Sequence, residues 1–277
     1  MLEIVFGLMK KGVILSSIRD VVRLISKNKR MFLVMAVIQL IFFSLLAVLL
    51  STYVVKIGIS ASKILEYVES TDLDEAAVTT KMLKQEEFLG DDPTLIFRES
   101  KTIISSLIFL FVYLLLLFLV LEGLNWALMD GLIRKKKFKE IFSYIGKFSG
   151  VLLVYLSFLF LFLRAIFIGV NLENFSFFDL IPLLFVVVLF YFMFLSLALV
   201  GGRSFKEIFK RTFLVGIRKW DVMLLSYLLM LVVMGLLTAL WMFLAEMHII
   251  LVVLSLLLFV VSFILMRIFL VVVVDKA

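Results

Sequence analysis

Six long apolar runs leave this chain little choice of fold. They cover residues 31–55, 102–124, 149–170, 177–200, 221–244 and 249–274. Each is about as long as the roughly 20 residues that a helix needs to cross a hydrocarbon core of about 30 Å. They are too long for buried strands, and within lipid a helix satisfies every backbone N–H inside its own segment. The expected fold is therefore all-α: a polytopic membrane protein with six transmembrane helices arranged as three hairpins. The chain is 64% hydrophobic with a mean hydropathy of +1.22. Soluble domains are nearer half apolar, and the excess here sits in these runs.

The charges set an orientation. Lys10, Lys11, Arg19, Arg23, Lys27, Lys29 and Arg30 precede the first run. Arg134, Lys135, Lys136, Lys137, Lys139 and Lys147 separate the second from the third. Arg203, Lys206, Lys210, Arg211, Arg218 and Lys219 separate the fourth from the fifth. By the positive-inside rule these segments and both termini are cytoplasmic, as an even number of spans requires. The chain carries a net charge of +7, but clustering at span ends points to anionic lipid headgroups and not to nucleic acid. The 2–9 stretch precedes Lys10 and Lys11, the reverse of a cleavable signal, so the first run is expected to act as an uncleaved anchor in the plasma or inner cell membrane.

A five-residue string, Phe-Lys-Glu-Ile-Phe, occurs at 138–142 and again at 205–209, each time between two apolar runs. In both places apolar residues recur at helical spacing: Phe138, Ile141, Phe142, Ile145 and Phe148, then Phe205, Ile208, Phe209, Thr212 and Phe213. A diverged copy, Ile14, Ile18, Val21 and Ile25, precedes the first run. Short helices with one apolar and one basic face lie in the membrane interface. Interfacial helices are therefore expected at 13–27, 137–147 and 204–216, giving an internal repeat of interfacial helix, span, span. The repeats run parallel, unlike the inverted repeats of many secondary transporters.

The 56–101 segment is different. Its acids outnumber its bases, and it is expected to form an extracytoplasmic helical cap. Residues 57–68 can extend the first span beyond the bilayer. Thr71 to Asp74 resembles a capping box opening a helix, Gly90 stops it, and Asp91-Asp92-Pro93 reads as a turn.

Ionisable and amide side chains within spans are the candidate sites, because burying them in lipid is costly. Glu122 precedes Asp130 by the same interval as Arg267 precedes Asp275. At 1.5 Å per residue both lie about 12 Å from the cytoplasmic edge, a depth at which they can pair. Gln39 and Asn125 are amides able to bond between helices. Arg164, Glu173 and Asp179 form a second candidate cluster at the outer side. Trp126, Trp220 and Trp241 near span ends read as interface anchors, and His248 beside Glu246 reads as interfacial. No cysteine is present, so thiol chemistry and cysteine-ligated metals are excluded. No phosphate-cradling glycine loop, metal-ligand spacing or set of nucleophile, base and orienter stands out. No metal, cofactor or catalytic residue is expected.

The stretch from Ser204 through Glu207 and Phe209 to Arg218-Lys219-Trp220, with Arg267 and Val274-Asp275 at the last span, resembles prokaryotic six-helix membrane families of unknown function. It is similar to the membrane domain accompanying some glycerophosphodiester phosphodiesterases. That resemblance implies topology only, since no catalytic domain is present to carry residues over. Two functions follow as expectations. One is a non-catalytic scaffold, accessory subunit or lipid-interacting component, with a dry bundle interior and a membrane protein as a possible partner. The other is a permease or channel for a small or lipid-like solute, with a cavity lined by Glu122, Asn125, Gln39 and Arg267.

Overall fold

The computed structural model describes residues 2–70, 94–134, 140–169, 180–245 and 249–276. Among these residues every regular element is helical. The helices are α1 (Leu2–Lys27), α2 (Lys29–Ser70), α3 (Leu95–Leu117), α4 (Gly123–Arg134), α5 (Glu140–Gly169), α6 (Leu180–Leu199), α7 (Phe205–Arg218), α8 (Trp220–Ala245) and α9 (Ile249–Lys276). A π-helical turn, Phe118–Glu122, joins α3 to α4 without a break.

Five of these helical runs are long and apolar enough to cross a membrane: Lys29–Glu69, Leu95–Arg134, Glu140–Arg164, Trp220–Leu244 and Ile250–Lys276. They fit a multi-pass membrane protein. Large apolar side chains such as Leu33, Phe111, Phe160, Leu236 and Leu254 stand exposed on them, far more than a water-soluble surface carries. The expected span at 177–200 begins outside the described residues, and its described apolar stretch is the shorter Leu184–Leu199.

The chain forms two compact units. The first comprises Met1–Leu40 and Leu119–Ala277, the second Ile41–Phe118. In the first unit α9 is the central helix. It packs on α8, α1 and α6, and Ile268 to Val274 are buried on every side, as a helix apolar all round requires. α5 runs antiparallel to α6: Tyr144 reaches the Leu197 carbonyl at 3.2 Å, Tyr155 meets Ser196 at 2.8 Å, and Phe162 stacks near Phe185. In the second unit the later part of α2 runs antiparallel to α3. Phe42 meets Phe118, Tyr53 meets Tyr113, and Lys63 meets Glu99 at 3.5 Å. α2 is 42 residues long, about 63 Å at 1.5 Å per residue, so the helix passes straight through 57–68.

Two of the amphipathic segments are separate helices. α1 ends where the Asn28 side chain donates to the Leu24 carbonyl at 3.0 Å. α7 opens on a capping box, Ser204 accepting from the Glu207 N–H while the Glu207 carboxylate accepts from the Ser204 N–H. The segment expected at 137–147 is not a separate helix over its described part, because α5 continues from Glu140 to Gly169. Nothing between Ile141 and Ser149 caps or breaks it: the sequence has no proline there and Gly146 is absorbed within the helix. The apolar stripes also shift. Ile208 and Thr212 are buried, but Phe205 and Phe213 are exposed; Val21 is buried and Ile18 is exposed. Each stripe is therefore split between the protein core and a second apolar face. The capping motif read at 71–74, the turn at 91–93, Lys135 to Lys139, and His248 with Glu246 lie outside the described residues.

Candidate functional site

Gln39 lies at the centre of a buried polar cluster in the first unit. α2 carries it, the π turn carries Glu122, α4 carries Asn125, and α9 carries Arg267. The Gln39 amide nitrogen donates to Glu122 Oε1 at 2.9 Å. Its carbonyl oxygen accepts from Asn125 Nδ2 at 2.7 Å and from Arg267 Nη1 at 3.2 Å. Arg267 Nη1 also lies 2.5 Å from Glu122 Oε2, a close ion pair at an angle off that of a hydrogen bond. The cluster is dry: Gln39 is 0% exposed, Glu122 2%, Asn125 3% and Arg267 7%. The guanidinium carbon sits 3.9 Å over the Phe263 ring and 5.7 Å from the Trp126 ring, which supplies cation–π attraction where water is absent.

The four residues named from their depth and polarity thus meet at one place. Arg267 is buried against Glu122 and is not turned to the surface. Trp126 is not an interface anchor: it is 2% exposed, one helical turn beyond Glu122, beneath the guanidinium. Trp220 and Trp241 are exposed. The sequence carried no sign of the π turn. Its extra residue coincides with the change from the exposed α3 to the buried α4 and places Glu122 on the buried side. Asn125 Oδ1 and Arg267 Nε have no hydrogen-bond partner among the described residues. Of the outer cluster, Glu173 and Asp179 lie outside the described residues, and Arg164 is exposed.

A second polar system links three helices. Thr212 on α7 donates to the Ile208 carbonyl at 2.8 Å. Its oxygen can then accept from Ser196 on α6 at 3.0 Å, and Ser196 accepts from the Tyr155 hydroxyl on α5 at 2.8 Å. This relay ends on a backbone carbonyl, not on a base, so it orients helices without activating a hydroxyl.

At one end of the first unit the charged segments converge. Arg134 reaches Asp275 at 2.9 Å and Asp130 at 3.2 Å, and also donates to the Gly201 carbonyl. Lys276 pairs with Asp20 at 2.6 Å, and Lys147 donates to the Arg203 carbonyl at 2.9 Å. The hydrogen bond from Lys276 holds the Asp20 carboxyl below its ordinary value of 3.8. Gly202, with φ 74°, turns the chain from α6 towards α7, a left-handed conformation that suits glycine. Asp130, Arg134, Gly201 and Asp275 were not singled out from sequence as partners. Their one signal was a recurring mixture of acids and bases at the basic span ends.

No family model matches the chain, and no curated protein or solved structure matches it either. Among the described residues no three metal-ligating side chains converge.

Proposed function

We propose that this protein is a non-catalytic, multi-pass component of the cell membrane, acting as a scaffold, accessory subunit or lipid-interacting protein. The observation that carries this reading is the closed cluster of Gln39, Glu122, Asn125 and Arg267. Its ionised groups are spent on one another between helices, which is how buried polar groups specify a bundle. We place six spans in three hairpins, with both termini and the basic end in the cytoplasm. The convergence of Asp20, Arg134, Lys147, Arg203, Asp275 and Lys276 at one end supports that orientation.

Two atoms with no hydrogen-bond partner among the described residues, Asn125 Oδ1 and Arg267 Nε, favour a second reading: a permease in which a small polar solute engages this cluster. Mass spectrometry of the protein purified in mild detergent, with flux measurements in proteoliposomes, separates the two. The scaffold reading expects retained phospholipid, no retained soluble metabolite and no flux. A metabolite that is retained by the wild type and lost in Glu122→Gln would overturn it in favour of the permease.

A further inference from the structure

The basic end holds a cavity of about 490 Å³ between the α6–α7 turn, α7 and the end of α9. Arg203, Lys210 and Arg211 line it on one side, and Leu199, Leu214 and Val274 supply apolar wall. Two acids also line it, Glu207 and Asp275, but both are already engaged. Glu207 is held in the capping box with Ser204. Asp275 bonds Arg134 at 2.9 Å and leaves Arg203 at 4.0 Å. Lys210 and Arg211 form no ion pair among the described residues. The cavity therefore gathers cations whose charge the protein itself leaves incompletely balanced.

Arg203 shows the effect of that crowding. Burial, then the neighbouring Arg134 and Arg211 charges, lower its pKa, so a bound anion would relieve the repulsion. On α7, Leu214 lines the cavity and is exposed, and Ile217, on the same helix face, is exposed too. A free anion has no use for that apolar rim. A phospholipid does, because its phosphate and acyl chains are joined. In the cavity on the other side of Asp275, Lys276 is bound to Asp20 and Ser16, and Arg23 and Lys27 also line the wall.

We propose that Arg203, Lys210 and Arg211 bind the phosphate of an anionic phospholipid, whose chains lie along Leu214 and Ile217. This deepens the lipid-interacting reading above and rests on the basic end facing the membrane interface. Basic pockets between helices at a cytoplasmic face are suited to such headgroups, and arginine forks match phosphate oxygens.

The test is native mass spectrometry of the full chain in mild detergent, titrated with phosphatidylglycerol, phosphatidylcholine or inorganic phosphate. Phosphatidylglycerol should bind, phosphatidylcholine should bind much more weakly, and phosphate at equal concentration should not displace the lipid. Lys210→Gln/Arg211→Gln, both at exposed positions, should weaken phosphatidylglycerol binding about tenfold or more, given the usual contribution of each basic residue near an anionic surface. Lys29→Gln/Arg30→Gln, equally exposed but away from the cavity, should leave it unchanged. Full displacement of the lipid by phosphate would make the occupant a free anion and overturn the proposal. Equal weakening by both double variants, or by neither, would overturn the site yet leave the lipid-interacting reading standing. Failure of the wild type to prefer phosphatidylglycerol over phosphatidylcholine would overturn both.

Discussion

Gln39 determines how firmly the buried charges are held, because one amide serves Glu122, Asn125 and Arg267 at once. Its two ends are not interchangeable: the nitrogen faces a carboxylate and the oxygen faces two donors. Removing one charge of the Glu122–Arg267 pair strands the other in a dry interior, at a cost of about 3–5 kcal/mol, whereas apolar replacement of both can be nearly neutral. Glu122→Leu and Arg267→Leu should each lower thermal stability in detergent markedly, and the double variant should recover much of the loss. Additive losses would contradict the pairing. Gly201 is equally exacting for a different reason. A Cβ there would overlap the Asp130 carboxylate and the Arg134 guanidinium, so Gly201→Ala should cost about 1–3 kcal/mol, read as a lower unfolding temperature. The Glu122 and Arg267 contact was legible because charge in an apolar run has few places to go. The Asp130–Arg134–Gly201 contact was not, because a charge at a span end is already explained by the interface, and no spacing says which turn will fold over it.

The helices differ in how visibly their ends are written. Ser204 and Glu207 carry the capping pattern openly, and α7 begins there; α5 has no such signal before its apolar run, and the amphipathic stretch merges into the span. The π turn was illegible because Phe-Leu-Val-Leu-Glu is ordinary helical sequence, and only the tertiary placement of Glu122 accompanies the extra residue. The relay from Tyr155 through Ser196 to Thr212 joins α5, α6 and α7, and its direction ranks its mutants. Thr212→Val removes the hydroxyl that accepts from Ser196 and leaves two buried hydroxyls to rearrange, at about 1–3 kcal/mol. Tyr155→Phe removes only the first donor, and Ser196 can still bond Thr212, so its loss should be about 1 kcal/mol. Urea or thermal unfolding in detergent would show a reversed order if the relay ran the other way. α1 is joined to α9 partly through Asp20 and Lys276. Because the Asp20 pKa is lowered in the folded state, that contribution is full above the unfolded value near 3.8 and is lost as pH falls through the still lower folded value. Amide protection factors in α1, corrected for the intrinsic pH dependence of exchange, should therefore fall in strongly acidic buffer, and Asp20→Asn should lower them at neutral pH and remove this acid-dependent loss.

At the scale of the whole molecule, the proposed topology follows from two independent patterns. Apolar runs require crossings, and the basic residues between alternate runs choose the side. α2 is long enough to cross a hydrocarbon core of about 30 Å and continue beyond it. Its basic start at Lys29 and Arg30 should then be cytoplasmic and its later turns outside. Ser62, on α2, and Ser143, early in α5, are both exposed positions, and the chain has no cysteine of its own, so single cysteines report side without background. A membrane-impermeant thiol reagent added to intact cells should label Ser62→Cys and spare Ser143→Cys until the membrane is opened. Labelling of Ser143→Cys alone from outside would invert the proposed orientation. Labelling of both from outside would mean that the chain does not cross between them an odd number of times, and the six-span hairpin layout would fail with it. The fourth span, 177–200, is described from Leu180 onward. A cysteine at Ser204, after α6, should share the protection of Ser143→Cys if residues 149–200 cross twice, and its labelling from outside would reduce that pair of crossings to one.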